Sequence, residues 1–291
     1  MAVRMVVFQI IVLLGSMNAF VKAVGLVNSS KCSEATCGNV KIPYPFGIDT
    51  DCNIAYLINC NYSFSPPKPF LASINREVLD ISLDGTLRVN YPILWGCSNA
   101  TGTDFGMHTS IFLVFSQSRN KFIAMGCNNF ASLIDAEYAV LCGCMSVCDN
   151  KYTEMNISNS CSGINCCQTT IPSLLRNFSV SLKSIDTESD RFNTPCKYAF
   201  IVEQKWFEAN LTNPFEVQNM SHVPVVLEWL IPPRLFPLVI GNNQSDKETS
   251  TYVCNNRSII LKCSCKRGFK GNPYLPHPER CAGKLLLTSV Y

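Results

Sequence analysis

Short alternating or apolar runs, separated by turn-forming residues, make up most of the chain. The clearest covers residues 77–89, where two alternating stretches flank Asp84 and Gly85, a pair typical of a tight β-hairpin. Further strands are predicted over residues 111–115, 122–125, 179–185 and 198–202. Helical periodicity is scarce, and only residues 172–176 and 217–220 are candidates for short helices. The pattern therefore predicts a mainly β fold.

The first 23 residues have the pattern of a secretory signal peptide. Arg4 supplies a positive charge, and the apolar run over residues 5–14 is followed by small residues. This run is shorter than the roughly 20 residues that a membrane span needs. Residues 223–240 are also apolar, but they hold Glu228 and four prolines, which a lipid-facing helix would not tolerate. We therefore expect a secreted, extracellular protein that has no membrane anchor of its own.

The composition agrees with export. The 291 residues include 17 cysteines, far more than a protein of a reducing compartment needs, so disulfides are expected. Because 17 is odd, at least one thiol is unpaired or pairs with another chain. Nine Asn-x-Ser/Thr sequences are candidate N-glycosylation sites. They are Asn28, Asn61, Asn99, Asn156, Asn177, Asn210, Asn219, Asn243 and Asn256.

Cysteine clusters and proline-rich stretches predict the domain organisation. The stretch after the second cluster opens with two prolines, lacks cysteine and ends in polar residues, as linkers do. The predicted regions are a signal peptide at 1–23, a cysteine-rich β domain at 24–150, a second cysteine-containing region at 151–231, a linker at 232–253, a terminal module at 254–281 and a tail at 282–291.

The most specific motif is Cys32-x4-Cys37-Gly-Asn-Val-Lys-Ile-Pro-Tyr-Pro-Phe-Gly47. It resembles the opening signature of the galacturonan-binding module in plant wall-associated receptor kinases. Further landmarks of that family follow in order: Trp95-Gly-Cys97, Gly126-Cys127, Gly143-Cys144-x3-Cys148, Cys161-Ser-Gly-x2-Cys166-Cys167, Cys196-x-Tyr198-Ala-Phe200 and Val226-Leu-Glu-Trp229-x-Ile231. The resemblance implies a disulfide-rich ectodomain of this family, without its membrane span or kinase domain.

The cysteines near the C-terminus resemble the end of an epidermal-growth-factor-like module, including the family's Gly-Asn-Pro-Tyr variant at residues 271–274. The resemblance implies bonds between Cys254 and Cys263 and between Cys265 and Cys281, each stabilising by roughly 3 kcal/mol on the chain-entropy model. Two further cysteines of the family pattern, which would bond each other, are absent, so the module is a truncated one. No acidic calcium-binding stretch precedes it, and neither a metal nor a cofactor is predicted.

Sixteen cysteines match either the family landmarks or the terminal module, and these are expected to form disulfides. They are Cys32, Cys37, Cys52, Cys60, Cys97, Cys127, Cys144, Cys148, Cys161, Cys166, Cys167, Cys196, Cys254, Cys263, Cys265 and Cys281. The family landmark near residue 143 is already complete without Cys142. Cys142 is therefore the candidate for the unpaired thiol.

Eight residues are candidates for binding an acidic polysaccharide: Lys41, Tyr44, Phe46, Arg76, Arg88, Lys266, Arg267 and Lys270. Aromatic faces suit the C–H faces of sugars, and cationic groups suit the carboxylates of uronic acids. For Tyr44 and Phe46 there is an alternative, in which they pack in the core and the motif is conformational. The alternation of apolar residues in this motif favours the alternative.

Charge is divided unevenly along the chain. Residues 24–253 hold 15 basic and 20 acidic residues, a net charge of −5, whereas residues 254–291 hold seven basic residues and one acidic residue, a net charge of +6. A polyanion such as demethylated pectin would be attracted to the terminal residues by a salt-sensitive field, unless these only solubilise the chain. A binding site in the first domain would instead need a local patch, for which Lys41, Arg76 and Arg88 are candidates.

The predicted function is non-catalytic binding of pectin, homogalacturonan or oligogalacturonides in the cell wall. The three histidines are widely spaced, and no zinc-protease, serine-hydrolase or phosphate-loop motif is present, so an enzyme is not predicted. A net charge of +3 does not indicate nucleic-acid binding. The alternative is an extracellular protein-interaction or decoy ectodomain, with receptor kinases or extracellular peptides as partners.

Overall fold

The computed structural model describes residues 34–49, 54–97, 105–148, 161–185, 196–211, 214–231, 251–257, 260–275 and 280–283. Within these residues the regular secondary structure is mainly β-strand, as the alternating pattern of the sequence predicts. The strands, in chain order, are β1 (Ala35–Cys37), β2 (Val40–Ile42), β3 (Ile58–Asn61), β4 (Lys68–Leu71), β5 (Arg76–Ser82), β6 (Thr86–Pro92), β7 (Leu94–Gly96), β8 (Phe105–Met107), β9 (Leu113–Phe115), β10 (Asn120–Met125), β11 (Asn129–Ile134), β12 (Val140–Ser146), β13 (Cys166–Thr170), β14 (Phe178–Ser184), β15 (Lys197–Glu203), β16 (His222–Trp229), β17 (Tyr252–Arg257), β18 (Ile260–Cys265), β19 (Phe269–Lys270) and β20 (Ala282–Gly283).

Three larger sheets form the body of the protein, and all their strand pairs are antiparallel. One has the order β3-β4-β5-β6-β16-β9, and the other two have the orders β13-β10-β15-β7 and β12-β11-β14-β8. Strands from both sides of residue 150 share each of these sheets, so the cysteine clusters do not mark separate sheets. Three two-stranded pairs, β1-β2, β17-β18 and β19-β20, complete the described topology.

Local sequence signals account for several of these strands. The hairpin predicted at Asp84 and Gly85 joins β5 to β6, with Ser82 opposite Thr86 and Gly85 at a φ of +90°. Alternate residues of β6 are buried against the core, as expected for a strand with one covered face. Six successive residues of β15 are buried, which means that both faces of this central strand are covered.

The helices differ from the prediction. Residues 172–176 form a turn in which Leu174 has a φ of +58°, so a helix there is wrong. Residues 217–219 belong to a 3₁₀ helix, Pro214–Asn219, and a second 3₁₀ helix covers Ile54–Tyr56. The α-helix of the described chain, α1 (Gln204–Asn210), was not predicted, since its two turns are too short to show a helical period.

Seven disulfides cross-link the described residues, and they include both bonds that the resemblance implies for the terminal module. They are Cys37–Cys60, Cys97–Cys196, Cys127–Cys148, Cys144–Cys167, Cys161–Cys166, Cys254–Cys263 and Cys265–Cys281. Cys142 is a free thiol, half-buried on β12, and its burial raises its pKa to about 11. Cys32, Cys52, the predicted signal peptide and most of the predicted linker lie outside the described residues.

Candidate functional site

The opening motif, residues 42–47, is part of the core. Tyr44 is 3% exposed and Phe46 is 1% exposed, and the backbone N–H of Phe46 donates to the carbonyl of Pro43 at 2.9 Å in a tight turn. Stacking on a sugar needs an open aromatic face, which neither ring has in this structure. The burial therefore matches the alternative in which the motif is conformational, and it removes Tyr44 and Phe46 as stacking residues.

Phe46 packs in a cluster of four aromatic rings, which we call the aromatic junction: Phe46, Tyr56, Trp229 and Tyr274. Ring centroids lie 5.2 Å apart for Phe46 and Tyr56, 5.6 Å for Phe46 and Trp229, and 4.7 Å for Trp229 and Tyr274. Such tilted and edge-on contacts are the favourable arrangements of aromatic pairs. The junction thus joins three family landmarks that lie far apart in the sequence.

The terminal module docks onto the opening motif through the Gly-Asn-Pro-Tyr turn. The side-chain amide of Asn272 donates to the carbonyl of Tyr44 at 2.7 Å, and the Asn272 carboxamide oxygen accepts from the N–H of Tyr274 at 2.9 Å. The Tyr274 hydroxyl accepts from the N–H of Cys263 at 3.1 Å. The same asparagine therefore shapes its own turn and fixes the module to residues 42–47.

Burial shifts the ionisation of the tyrosines at this contact. Desolvation raises the pKa of Tyr44, an effect that the nearby Arg280 guanidinium partly opposes. Burial also raises the pKa of Tyr274, and its hydrogen bond from Cys263 acts in the opposite direction. Both hydroxyls are neutral at physiological pH, so the contact between module and motif is uncharged at these positions.

Two cations of the candidate patch in the first domain have partners within the protein. Arg88 forms a two-pronged ion pair with Glu203, with its Nη2 2.7 Å and its Nε 2.8 Å from one carboxylate oxygen. Arg76 lies over the ring of Tyr91, 5.2 Å from the centroid. Both groups therefore serve contacts that hold strands together, and Arg88 brings its own counter-charge.

Lys41 and the terminal cations differ from this pair. The side chains of Lys41, Lys266, Arg267 and Lys270 make no ion pair or hydrogen bond with any described residue. Lys41, Arg267 and Lys270 are exposed, whereas Lys266 is half-buried. Because Asn272 binds Tyr44, the module that carries the other three cations contacts the opening motif, and Lys41 directly precedes that motif.

Two of the aromatic residues that reach solvent lie on one short loop, and the sequence analysis did not identify them as candidates. Tyr62 is 73% exposed and Phe64 is 42% exposed, on the loop that joins β3 to β4. Their sequence context, in which serines alternate with the two rings and two prolines follow, is the signal that could have identified them. This loop, residues 61–68, is called the aromatic loop below.

The glycosylation candidates agree with a sugar-coated surface where the structure describes their side chains. Asn61, Asn177, Asn210 and Asn219 are all exposed. Asn28, Asn99, Asn156 and Asn243 lie outside the described residues, and Asn256 lies on β17. An N-linked glycan could therefore be attached at these four exposed positions.

The described residues hold no cluster of three or more histidine, cysteine, aspartate or glutamate side chains that could bind a metal ion. No helix within the same residues is long and apolar enough to cross a membrane.

Comparisons with known proteins match this chain to ectodomain regions. A family model described as wall-associated receptor kinase galacturonan-binding matches residues 32–91, and one described as wall-associated kinase matches residues 158–234. The chain is 31% identical to wall-associated receptor kinase-like 10 of Arabidopsis thaliana over 87% of its own length and 39% of the relative. It is 33% identical to wall-associated receptor kinase 5 of the same plant, over 83% of its own length and 33% of the relative. The chain thus spans between 33% and 39% of the length of these two relatives, and no solved structure matches it.

Proposed function

Since the chain belongs to the wall-associated receptor kinase family through these ectodomain regions, we propose that it binds acidic cell-wall polysaccharide without catalysing a reaction on it. The ligand class is pectin rich in free uronates: homogalacturonan and its oligomers. The place of action is outside the cell, in or on the wall, where this ligand occurs and where disulfides persist.

One observation carries the proposal. The family model for galacturonan binding covers the opening motif, and the strongly basic terminal module is hydrogen-bonded to that motif. Exposed cations without an acidic partner are available to a polyanion at low cost, because no existing ion pair has to be broken. Lys41, Arg267 and Lys270 meet this condition among the described residues.

Binding of this kind depends on many weak contacts. A single exposed pair of ammonium and carboxylate contributes little, about 0–1 kcal/mol, and is screened by salt. A polymer that presents a carboxylate on each sugar lets several such contacts form at once, and each contact raises the effective concentration for the next. The proposal therefore requires retention that is strong in low salt and lost as the salt concentration rises.

The test is chromatography of the secreted protein on de-esterified pectin with a salt gradient. The variant Arg267→Gln/Lys270→Gln removes two exposed charges from the terminal module, and Lys183→Gln/Lys205→Gln removes two exposed charges from elsewhere. We expect the first double variant to elute at lower salt and to bind about 3- to 10-fold more weakly, and the second to behave like the parent protein.

Three outcomes would contradict the proposal. The first is failure of the parent protein to bind pectin, and the second is retention that resists high salt. The third is an equal effect of the two double variants, which would mean that retention depends on the net charge of the protein and not on the terminal module. Deleting residues 254–291 is a poorer test, since removal of Tyr274 would expose Trp229 and disturb the fold.

A further inference from the structure

We propose that the aromatic loop, residues 61–68, is the sugar-stacking part of a site for uronic-acid oligosaccharides. This proposal rests on the function proposed above and names the element that contacts the faces of the sugar rings. Tyr62 and Phe64 are its stacking residues, and Lys68 supplies a cation beside them. The loop lies inside residues 32–91, the segment that matches the galacturonan-binding family model.

The exposure of the two rings is the first argument. Tyr62 is 73% exposed and makes no ring contact with any described residue, although an aromatic ring is costly to leave in water. Phe64 is 42% exposed and contacts Phe70 at a centroid distance of 6.3 Å, so part of its surface is covered and part remains open. Two open aromatic surfaces on one short loop are available for the apolar C–H faces of sugars.

Lys68 provides the second argument: Glu77 balances its charge, but the ammonium can still donate a hydrogen bond to the carboxylate of an acidic sugar. Lys68 Nζ lies 5.1 Å from the Phe64 ring centroid and 2.9 Å from a carboxylate oxygen of Glu77. The ammonium has three N–H donors, and its side chain is 42% exposed, so a donor remains for a ligand carboxylate. Because Lys68 lies over part of the Phe64 ring, a uronic acid that contacts the open part of that ring would have this ammonium close to its carboxylate.

The support beneath the loop is the third argument. The disulfide Cys37–Cys60 ties the start of the loop to the β1-β2 turn. On the other side, Gly38 packs so closely on Pro67 that a Cβ there would lie 2.1 Å from the Pro67 carbonyl oxygen. A loop held at both ends loses little conformational freedom when it binds, which favours affinity. The exposed Lys41 lies on β2, the strand that follows this turn.

A neighbouring glycosylation candidate must be considered in the test. Asn61 begins the loop, and its carboxamide oxygen accepts from the N–H and hydroxyl of Ser63 at 2.9 Å and 2.7 Å. A glycan on Asn61 would start next to Tyr62. The rival occupant of the two rings is therefore the protein's own glycan, and Asn61→Gln, which removes the acceptor, distinguishes the two.

The experiment is calorimetric titration of the full-length secreted protein with a purified galacturonic-acid oligomer. Tyr62→Ala and Phe64→Ala should each weaken binding about 3- to 10-fold, and the double variant more than tenfold. The control is Tyr138→Ala, which removes an aromatic side chain that is 80% exposed on the loop between β11 and β12 of a different sheet, and it should leave affinity unchanged. Loss of affinity in the loop variants should be equal at low and high salt, unlike that of the charge variants.

The outcomes separate this proposal from the one on which it rests. If the parent binds the oligomer but the double loop variant binds equally well, the aromatic loop is not the stacking element and the proposed function stands. If the parent does not bind, the proposed function fails. If the loop variants weaken binding only in the Asn61→Gln background, the native occupant is the protein's own glycan and the proposal is overturned.

Discussion

Two segments of this protein have similar composition and opposite environments. The opening motif, residues 42–47, and the aromatic loop, residues 61–68, each hold two aromatic residues and two prolines. Tyr44 and Phe46 are almost completely buried, whereas Tyr62 and Phe64 face solvent. The first pair meets Trp229 and the terminal module, while the second projects from the tip of a β-hairpin. Residue type alone therefore does not distinguish an aromatic that stabilises the fold from one that can bind a sugar.

The difference arises from contacts that are distant in sequence. Asn272 donates to the carbonyl of Tyr44 across 228 positions of the chain, and the terminal module covers the opening motif. Nothing described covers Tyr62 in the same way. We therefore assign the opening motif to folding and the aromatic loop to recognition, and the following variants test this division.

The largest expected effect is on stability, and it should separate the two segments. Phe46→Ala should lower the free energy of unfolding by about 3–5 kcal/mol, because it empties the centre of the aromatic junction. Phe64→Ala should lower it by only about 1 kcal/mol, because that residue is 42% exposed and leaves no buried cavity when it is truncated. Urea unfolding with the disulfides intact measures both, and equal losses would remove the distinction between the segments.

The docking of the terminal module should also contribute to stability. Tyr274→Ala removes a completely buried ring packed on Trp229 and should cost about 3–5 kcal/mol. Tyr274→Phe keeps the ring and leaves the N–H of Cys263 without its acceptor, which should cost about 1–2 kcal/mol. An unchanged unfolding midpoint for Tyr274→Ala would show that the module does not stabilise the rest of the protein.

The smallest expected effect is a pH dependence in alkali. Burial raises the pKa of Tyr44 in the folded protein, so the folded state holds this proton more tightly than the unfolded state. The associated stability is complete below the ordinary tyrosine pKa of about 10 and is lost as the pH rises through the folded value. Tyr44→Phe should therefore reduce the loss of stability above about pH 10, as followed by urea unfolding. An identical alkaline decline in Tyr44→Phe would contradict a buried, neutral hydroxyl.

Much of the local structure could be predicted because its causes are local. The Asp84-Gly85 turn and the alternation on both sides of it are sufficient to predict the β5-β6 hairpin. The bonds of the terminal module came from the family resemblance, and the structure contains both. Cys142 emerged as the odd thiol because the landmark around it was complete without it, and it is free in the structure.

The candidate site could be predicted only in part, because residues distant in the sequence determine which cations are paired and which aromatic rings are buried. Arg88 is a candidate cation in the sequence, but in the structure it is paired with Glu203, which lies 115 positions away. The basic module and the opening motif were competing locations, and only the Asn272 contact shows that they adjoin. The sequence also provides no local sign that Trp229 and Tyr274, which lie on either side of residues 232–253, pack against each other.

Solvent accessibility with and without ligand tests the central claim most directly. Hydroxyl-radical footprinting of the secreted protein, read by mass spectrometry, reports the oxidation of each aromatic side chain. At a saturating concentration of a galacturonic-acid oligomer, we expect oxidation of Tyr62 and Phe64 to fall several-fold, while Tyr44 and Phe46 stay protected with and without ligand. Unchanged oxidation of Tyr62 and Phe64 with the oligomer bound, or ligand-dependent protection of Tyr44 and Phe46, would contradict the account.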